Sequence, residues 1–75
     1  MIRLHLSRLM GERRLKIADV VRDTGISRTA LTRLYHEKVE RLDLETLEIL
    51  CRYLEVDVGE MIEMTDDINK SKDAL

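Results

Sequence analysis

Arg28, Thr29, Thr32 and Arg33 stand within six residues of one another, at spacings that bring all four to one side of a helix. Their chemistry suits the edges of DNA bases. A guanidinium can donate two parallel hydrogen bonds to the acceptors of guanine, and a threonine methyl can touch the methyl of thymine. These four are the candidate base-reading residues. Ser27 stands directly before them, where its hydroxyl can cap the helix and reach a phosphate. Lys16, Arg22 and Lys38 flank the group and are candidate phosphate contacts, each adding to the salt dependence of binding.

Such side chains work only on a rigid support. Residues 17–36, IADVVRDTGISRTALTRLYH, read as two short amphipathic helices joined by the tight turn Thr24-Gly25-Ile26-Ser27, the pattern of a helix-turn-helix. The earlier helix is expected from Ile17 to Asp23, with Val20, Val21 and Thr24 inward. Gly25 ends it, because a left-handed residue there has no Cβ to clash. Ser27 opens the later helix, with Ala30, Leu31 and Leu34 inward.

The flanking chain completes the scaffold. Leu6, Leu9, Met10 and Arg13 follow helical spacing, predicting a helix over about residues 6–14 with Ser7 as its cap. Before it, Ile2, Leu4 and Leu6 alternate with polar residues, which suits either a short extended segment or the frayed start of that helix. Leu15 is expected to plug the core. Residues 37–42 form a connector. Asp43 caps a further helix, with Leu42 and Leu47 as a hydrophobic staple and Leu47, Leu50, Cys51 and Leu54 as its apolar stripe. Asp57 and Glu60 are spaced as a capping-box variant opening a last short helix, with Val58, Met61 and Ile62 inward. From Thr65 onward the sequence is polar and aperiodic, predicting a disordered tail over 65–75 after a domain over 1–64.

Composition agrees with a helical domain. There is no Trp, Phe or Pro, and only three Gly, so the core must be aliphatic and helices are favoured. The net charge of −2 hides an asymmetry. Ser7 to Arg41 carries nine basic and five acidic residues, whereas Leu42 to Leu75 carries three basic and ten acidic. A basic front can orient a protein on a polyanion. The lone Cys51 allows no internal disulfide and fits a reducing cytoplasmic setting. No apolar run reaches the roughly 20 residues of a membrane span, and the opening MIRLHLSRL lacks the apolar centre of a signal peptide. His5, His36 and Cys51 lack metal-ligand spacing. No nucleophile-base set or glycine-rich phosphate loop is visible, so neither an enzyme nor a cofactor is expected.

The segment from Leu6 to Met64 resembles the XRE family, the phage-repressor (Cro/cI) type of helix-turn-helix regulator. Val20, Val21, Thr24, Gly25, Ile26, Leu31 and Leu34 fall where that family keeps apolar or small residues. The string Asp43-Leu44-Glu45-Thr46-Leu47, followed by Leu50-Cys51-Arg52-Tyr53-Leu54, looks like one subfamily's fourth helix. Three positions depart: Val21 where the family prefers Ala, Ile17 where many members carry a phosphate-binding Gln, and Glu37 where many end the recognition helix with Gly.

The resemblance implies an all-α, compact five-helix lambda-repressor-like domain that binds double-stranded operator DNA as a homodimer and regulates transcription. Ile49, Tyr53, Met64, Ile68, Ile2 and Leu4 are candidates for a partner surface, and a strand-like N-terminus could pair across two chains. The short length leaves no room for an effector domain, so no small-molecule ligand is expected. The rival reading is a protein-interaction module on the same fold, antitoxin-like or anti-repressor, with its acidic half docking a basic partner.

Overall fold

A computed structural model describes residues 1–65. Its elements are β1 (Ile2–Leu4), α1 (Leu6–Glu12), α2 (Ile17–Thr24), α3 (Arg28–Tyr35), α4 (Leu44–Leu54), α5 (Val58–Met61) and β2 (Ile62–Met64). The five helices are as expected, but the domain is not wholly helical. The alternation at the N-terminus is a strand, and β1 pairs antiparallel with β2 of the same chain, setting Ile2 opposite Met64 and Leu4 opposite Ile62. Thr65 belongs to this closure, since its amide donates to the Met1 carbonyl at 2.7 Å. The expected tail beyond it, and Ile68, lie outside the described residues.

The core is aliphatic. Leu6, Leu9 and Met10 of α1, Val20 of α2, Leu31 and Leu34 of α3, the α4 stripe and Met61 form one buried cluster, and Leu15, Val21 and Ile26 pack against it. Cys51 lies in the cluster, where burial pushes its thiol pKa up. Leu42 and Leu47 line one small apolar void, consistent with their role as a staple. Arg13 donates to the Leu54 carbonyl and to the Leu9 carbonyl, each at 3.0 Å. It thereby satisfies an end-of-helix acceptor of α4 from α1.

Several local expectations are corrected. Ser7 is not the cap of α1; His5 is, without a side-chain bond. Asp57 precedes α5 but its carboxylate caps nothing, and Val58 points outward at 52 % exposure. The Asp57 carbonyl instead takes the Glu60 amide at 2.9 Å, so backbone closure does what the capping box was expected to do. Ile62 is a strand residue facing the core from β2. Ala30 is exposed, because Leu31 and Leu34 fill the narrow buried edge of α3.

The helix ends reveal how the chain turns. Gly25 closes α2 at φ 79°. Three other closures use residues with a Cβ in the same left-handed region: Arg14 at φ 55°, Glu37 at 57° and Glu55 at 58°. Each is followed by the paired backbone bonds of a Schellman closure. At α4, for example, Glu55 N–H donates to the Arg52 carbonyl at 3.3 Å and Val56 N–H to the Cys51 carbonyl at 3.0 Å.

A left-handed conformation costs a residue with a Cβ about 1–2 kcal/mol, partly offset because glycine loses about 0.5–1 kcal/mol more backbone freedom on folding. Glu55 is exposed and forms no ion pair among the described residues. Glu55→Gly is therefore expected to raise thermal stability by about 0.5–1 kcal/mol, or about 3–6 °C for a domain of this size. Gly25→Ala, where no atom lies within 4 Å of the added Cβ, should lower stability by a similar amount through backbone strain alone. Thermal melts followed by circular dichroism check both.

Candidate nucleic-acid interface

The turn before α3 is stitched by one side chain. The Thr24 hydroxyl donates to the Val20 carbonyl at 2.6 Å and accepts from the Ile26 amide at 3.2 Å. Gly25 N–H donates to the Val21 carbonyl at 3.0 Å. Ser27, in extended conformation, then accepts from the Ala30 amide at 3.1 Å through its hydroxyl oxygen. That cap leaves the hydroxyl hydrogen available for a further acceptor. It also leaves the first amides of α3 directed out of the helix start, where the dipole favours an anion.

On α3 itself, Leu31 and Leu34 occupy the core-facing edge. Arg28, Thr29 and Arg33 are exposed, and Thr32 is half-buried at the margin. The structure therefore brings all four candidate readers to the outward part of one helix. Ala30 joins them there. Tyr35 packs against the core, and its ring meets His36 edge-on at 5.1 Å.

Charge pairing separates the cations into two groups. Arg3 is bound to Glu37, Arg8 to Glu12, Arg52 to Glu48, and Arg13 to carbonyls and Glu12. Arg22 lies against Asp23 at 2.9 Å and Asp19 at 3.4 Å. This pair raises the guanidinium pKa and holds the Asp23 carboxyl low. Asp23 also accepts from the Tyr53 hydroxyl at 2.6 Å, tying α2 to α4.

By contrast, the side chains of Arg14, Lys16, Arg28, Arg33, Lys38 and Arg41 have no partner among the described residues. All six lie between residues 14 and 41. Arg33, Lys38 and Arg41 line one open groove between α3 and the start of α4, together with Ala30 and Leu34. Of the flanking candidates, Lys16 and Lys38 thus keep their charge available, whereas Arg22 is engaged on its own helix. Sequence reasoning missed Arg14, Arg41 and Ala30. The basic stretch was visible, but which of its cations are neutralised depends on pairing, which appears only in three dimensions.

The family model of the Cro/C1-type helix-turn-helix DNA-binding domain matches residues 5–67. The chain belongs to this family. It is a DNA-binding domain of a non-enzymatic family. No curated protein and no solved structure matches it. Among the described residues, no helix is long and apolar enough to cross a membrane.

Two departures from the Cro/C1-type pattern now have structural meaning. Ile17 at the start of α2 is half-buried against the core, so the helix begins with a packing contact and without a side-chain amide. Its cap is supplied by Asp19, whose carboxylate accepts from the Lys16 amide at 2.9 Å. Glu37 occupies the left-handed position after α3. Its amide donates to the Leu34 carbonyl at 3.1 Å, and the Lys38 amide to the Arg33 carbonyl at 2.8 Å. Its carboxylate is taken by the N-terminal strand. The Arg3 guanidinium donates to it twice, at 2.8 and 3.0 Å, and the Leu4 amide once, at 3.1 Å.

The Arg3 bonds, then the Leu4 amide, depress the Glu37 pKa from 4.5 to about 2. Such a group stabilises the fold fully above the ordinary carboxylate range, and that contribution is lost as pH falls from about 4.5 through about 2. The pair is partly exposed, at 42 % and 30 % of its side chains, so the scale is about 1 kcal/mol. Glu37→Gln should be less stable than the parent by about that amount at pH 7. The two should converge as pH approaches about 2 in denaturant titrations.

Proposed function

We propose that this Cro/C1-type domain is a sequence-specific transcriptional regulator that lays α3 in the major groove. Arg28 and Arg33 read base edges there, with Thr29 and Thr32 beside them. Lys16, Ser27 and Lys38 hold phosphates on either side, and Arg22 can join them only by loosening its hold on Asp23. Arg14 and Arg41 extend the same footprint. The observation that carries this reading is that Arg28 and Arg33 are exposed on the outward side of α3 and have no partner among the described residues. Arginines outside the basic stretch, such as Arg3 and Arg52, are already neutralised.

A single eight-residue helix reads few base pairs, so the proposal includes a homodimer on two half-sites about one helical turn apart. The N-terminal strand is paired with β2 of its own chain along one edge, so any cross-chain pairing would use its other edge. Ile2 and Met64, opposite one another in the sheet and 58 % and 79 % exposed, are the apolar residues that a second copy would cover.

Fluorescence anisotropy on DNA fragments selected from a random pool tests the reading. Arg28→Ala and Arg33→Ala should each remove about 1–3 kcal/mol of preference for the selected site over random duplex. Lys38→Ala should weaken all sequences alike and reduce the salt slope by about one. A double Arg28→Ala, Arg33→Ala variant that still selects the same site would refute the assignment.

A further inference from the structure

The link between Glu37 and the N-terminal strand sits at the working end of α3. Thirty-four residues separate Arg3 from Glu37 in the chain, yet their side chains form a two-pronged ion pair, reinforced by the Leu4 amide. Glu37 also terminates α3 from within the closure that positions Lys38. The carboxylate is therefore joined by covalent backbone and short hydrogen bonds to both sides: to Arg33 and Lys38 through the helix end, and to the β1–β2 sheet through Arg3.

The choice of residue needs a reason. Glycine would adopt φ 57° without the strain a Cβ brings. A carboxylate beside a DNA-facing helix would also repel phosphate. Both disadvantages are answered if the carboxylate is needed to hold something. The Thr24 hydroxyl and the Ser27 cap fix the start of α3, and Leu31, Leu34 and Tyr35 pack its inner edge. Burial of apolar side chains is not directional, so its far end gains orientation from a directional bond.

We infer that Glu37 is a positioning residue for DNA recognition, latching the end of α3 to the N-terminal strand so that Arg33 and Lys38 are presented in a fixed orientation. The latch rests on the proposed use of α3 as the reading helix. Around it lie Arg3 and Glu63 of the sheet, His5 at the start of α1, paired with Glu63 at 2.7 Å, and Lys38 in the connector.

The latch and simple charge repulsion predict opposite signs. Removing a negative charge near a polyanion should tighten binding if charge alone matters. Loss of the latch should weaken it. Glu37→Gln and Glu37→Gly are compared with the parent chain on the selected DNA fragment, at a temperature where melts show each to be folded. The glycine variant relieves the backbone strain and keeps the helix closure, so its folding is not in question for the same reason.

The expected result is binding about three- to tenfold weaker in both variants, with the salt slope unchanged because the bound phosphate contacts are the same. Arg3→Gln should weaken binding similarly, and the Arg3→Gln, Glu37→Gln double variant should be no weaker than the worse single. Tighter or unchanged binding by the Glu37 variants, or a double variant restored to parental affinity by cancelled charge, would overturn the latch. If instead the parent selects no site, or selects one that Arg28→Ala and Arg33→Ala leave unaffected, the α3 reading fails and the latch is overturned with it.

Discussion

Leu31 has no solvent exposure and Leu34 only 5 %, and their burial is what allows α3 to exist. A helix of eight residues is too short to be stable alone in water, where isolated helices below about 12–15 residues are marginal. One apolar edge, with Tyr35 beside it, is given to the core, and the outward surface is left free of packing. Ser27 supplies the cap at one end and Glu37 the closure at the other. The short rod thus carries Arg28, Thr29, Ala30 and Arg33 outward, on a support built from α1, α2 and α4.

The second constraint is electrostatic. An acidic chain, with formal charge −2, can still present a cationic face if its pairing is uneven. Here Arg8, Arg13 and Arg52, away from α3, are bound to carboxylates or carbonyls, Arg3 is bound to Glu37, and among the described residues the unpartnered cations fall between residues 14 and 41. Surface pairs add little to stability. Their main consequence is to neutralise positive charge on the other faces, so that the available cations are concentrated in the stretch that contains α3.

The helices around the turn and α4 were legible because each carries its own local signal. Gly25 and Ser27 mark the turn, Asp43 caps α4 through the Thr46 amide at 3.2 Å, and Leu47, Leu50 and Leu54 repeat at helical spacing. The sheet was not, since three-residue strands have no period long enough to distinguish from a frayed helix, and their pairing joins the two ends of the domain. Ala30 was misplaced because alanine carries little apolar area and its angular position lies at the margin between core and solvent. Glu37 was recognised only as a departure. Its partner lies in the distant strand, and long-range ion pairs leave no spacing signature. The four candidate readers were legible because they share one helix. The role of Arg22 was obscured because its neighbours Asp19 and Asp23 are seen to engage it only once the side chains are placed.

The most direct measurement is methylation interference on a selected duplex. Methyl groups placed on guanine N7 lie in the major groove, and those on adenine N3 in the minor groove. With α3 in the major groove, N7 methylation at a few guanines should abolish binding, and the effect at one of them should disappear in Arg28→Ala or Arg33→Ala. Interference confined to adenine N3, or N7 interference unchanged in both variants, would contradict α3 as the reading helix.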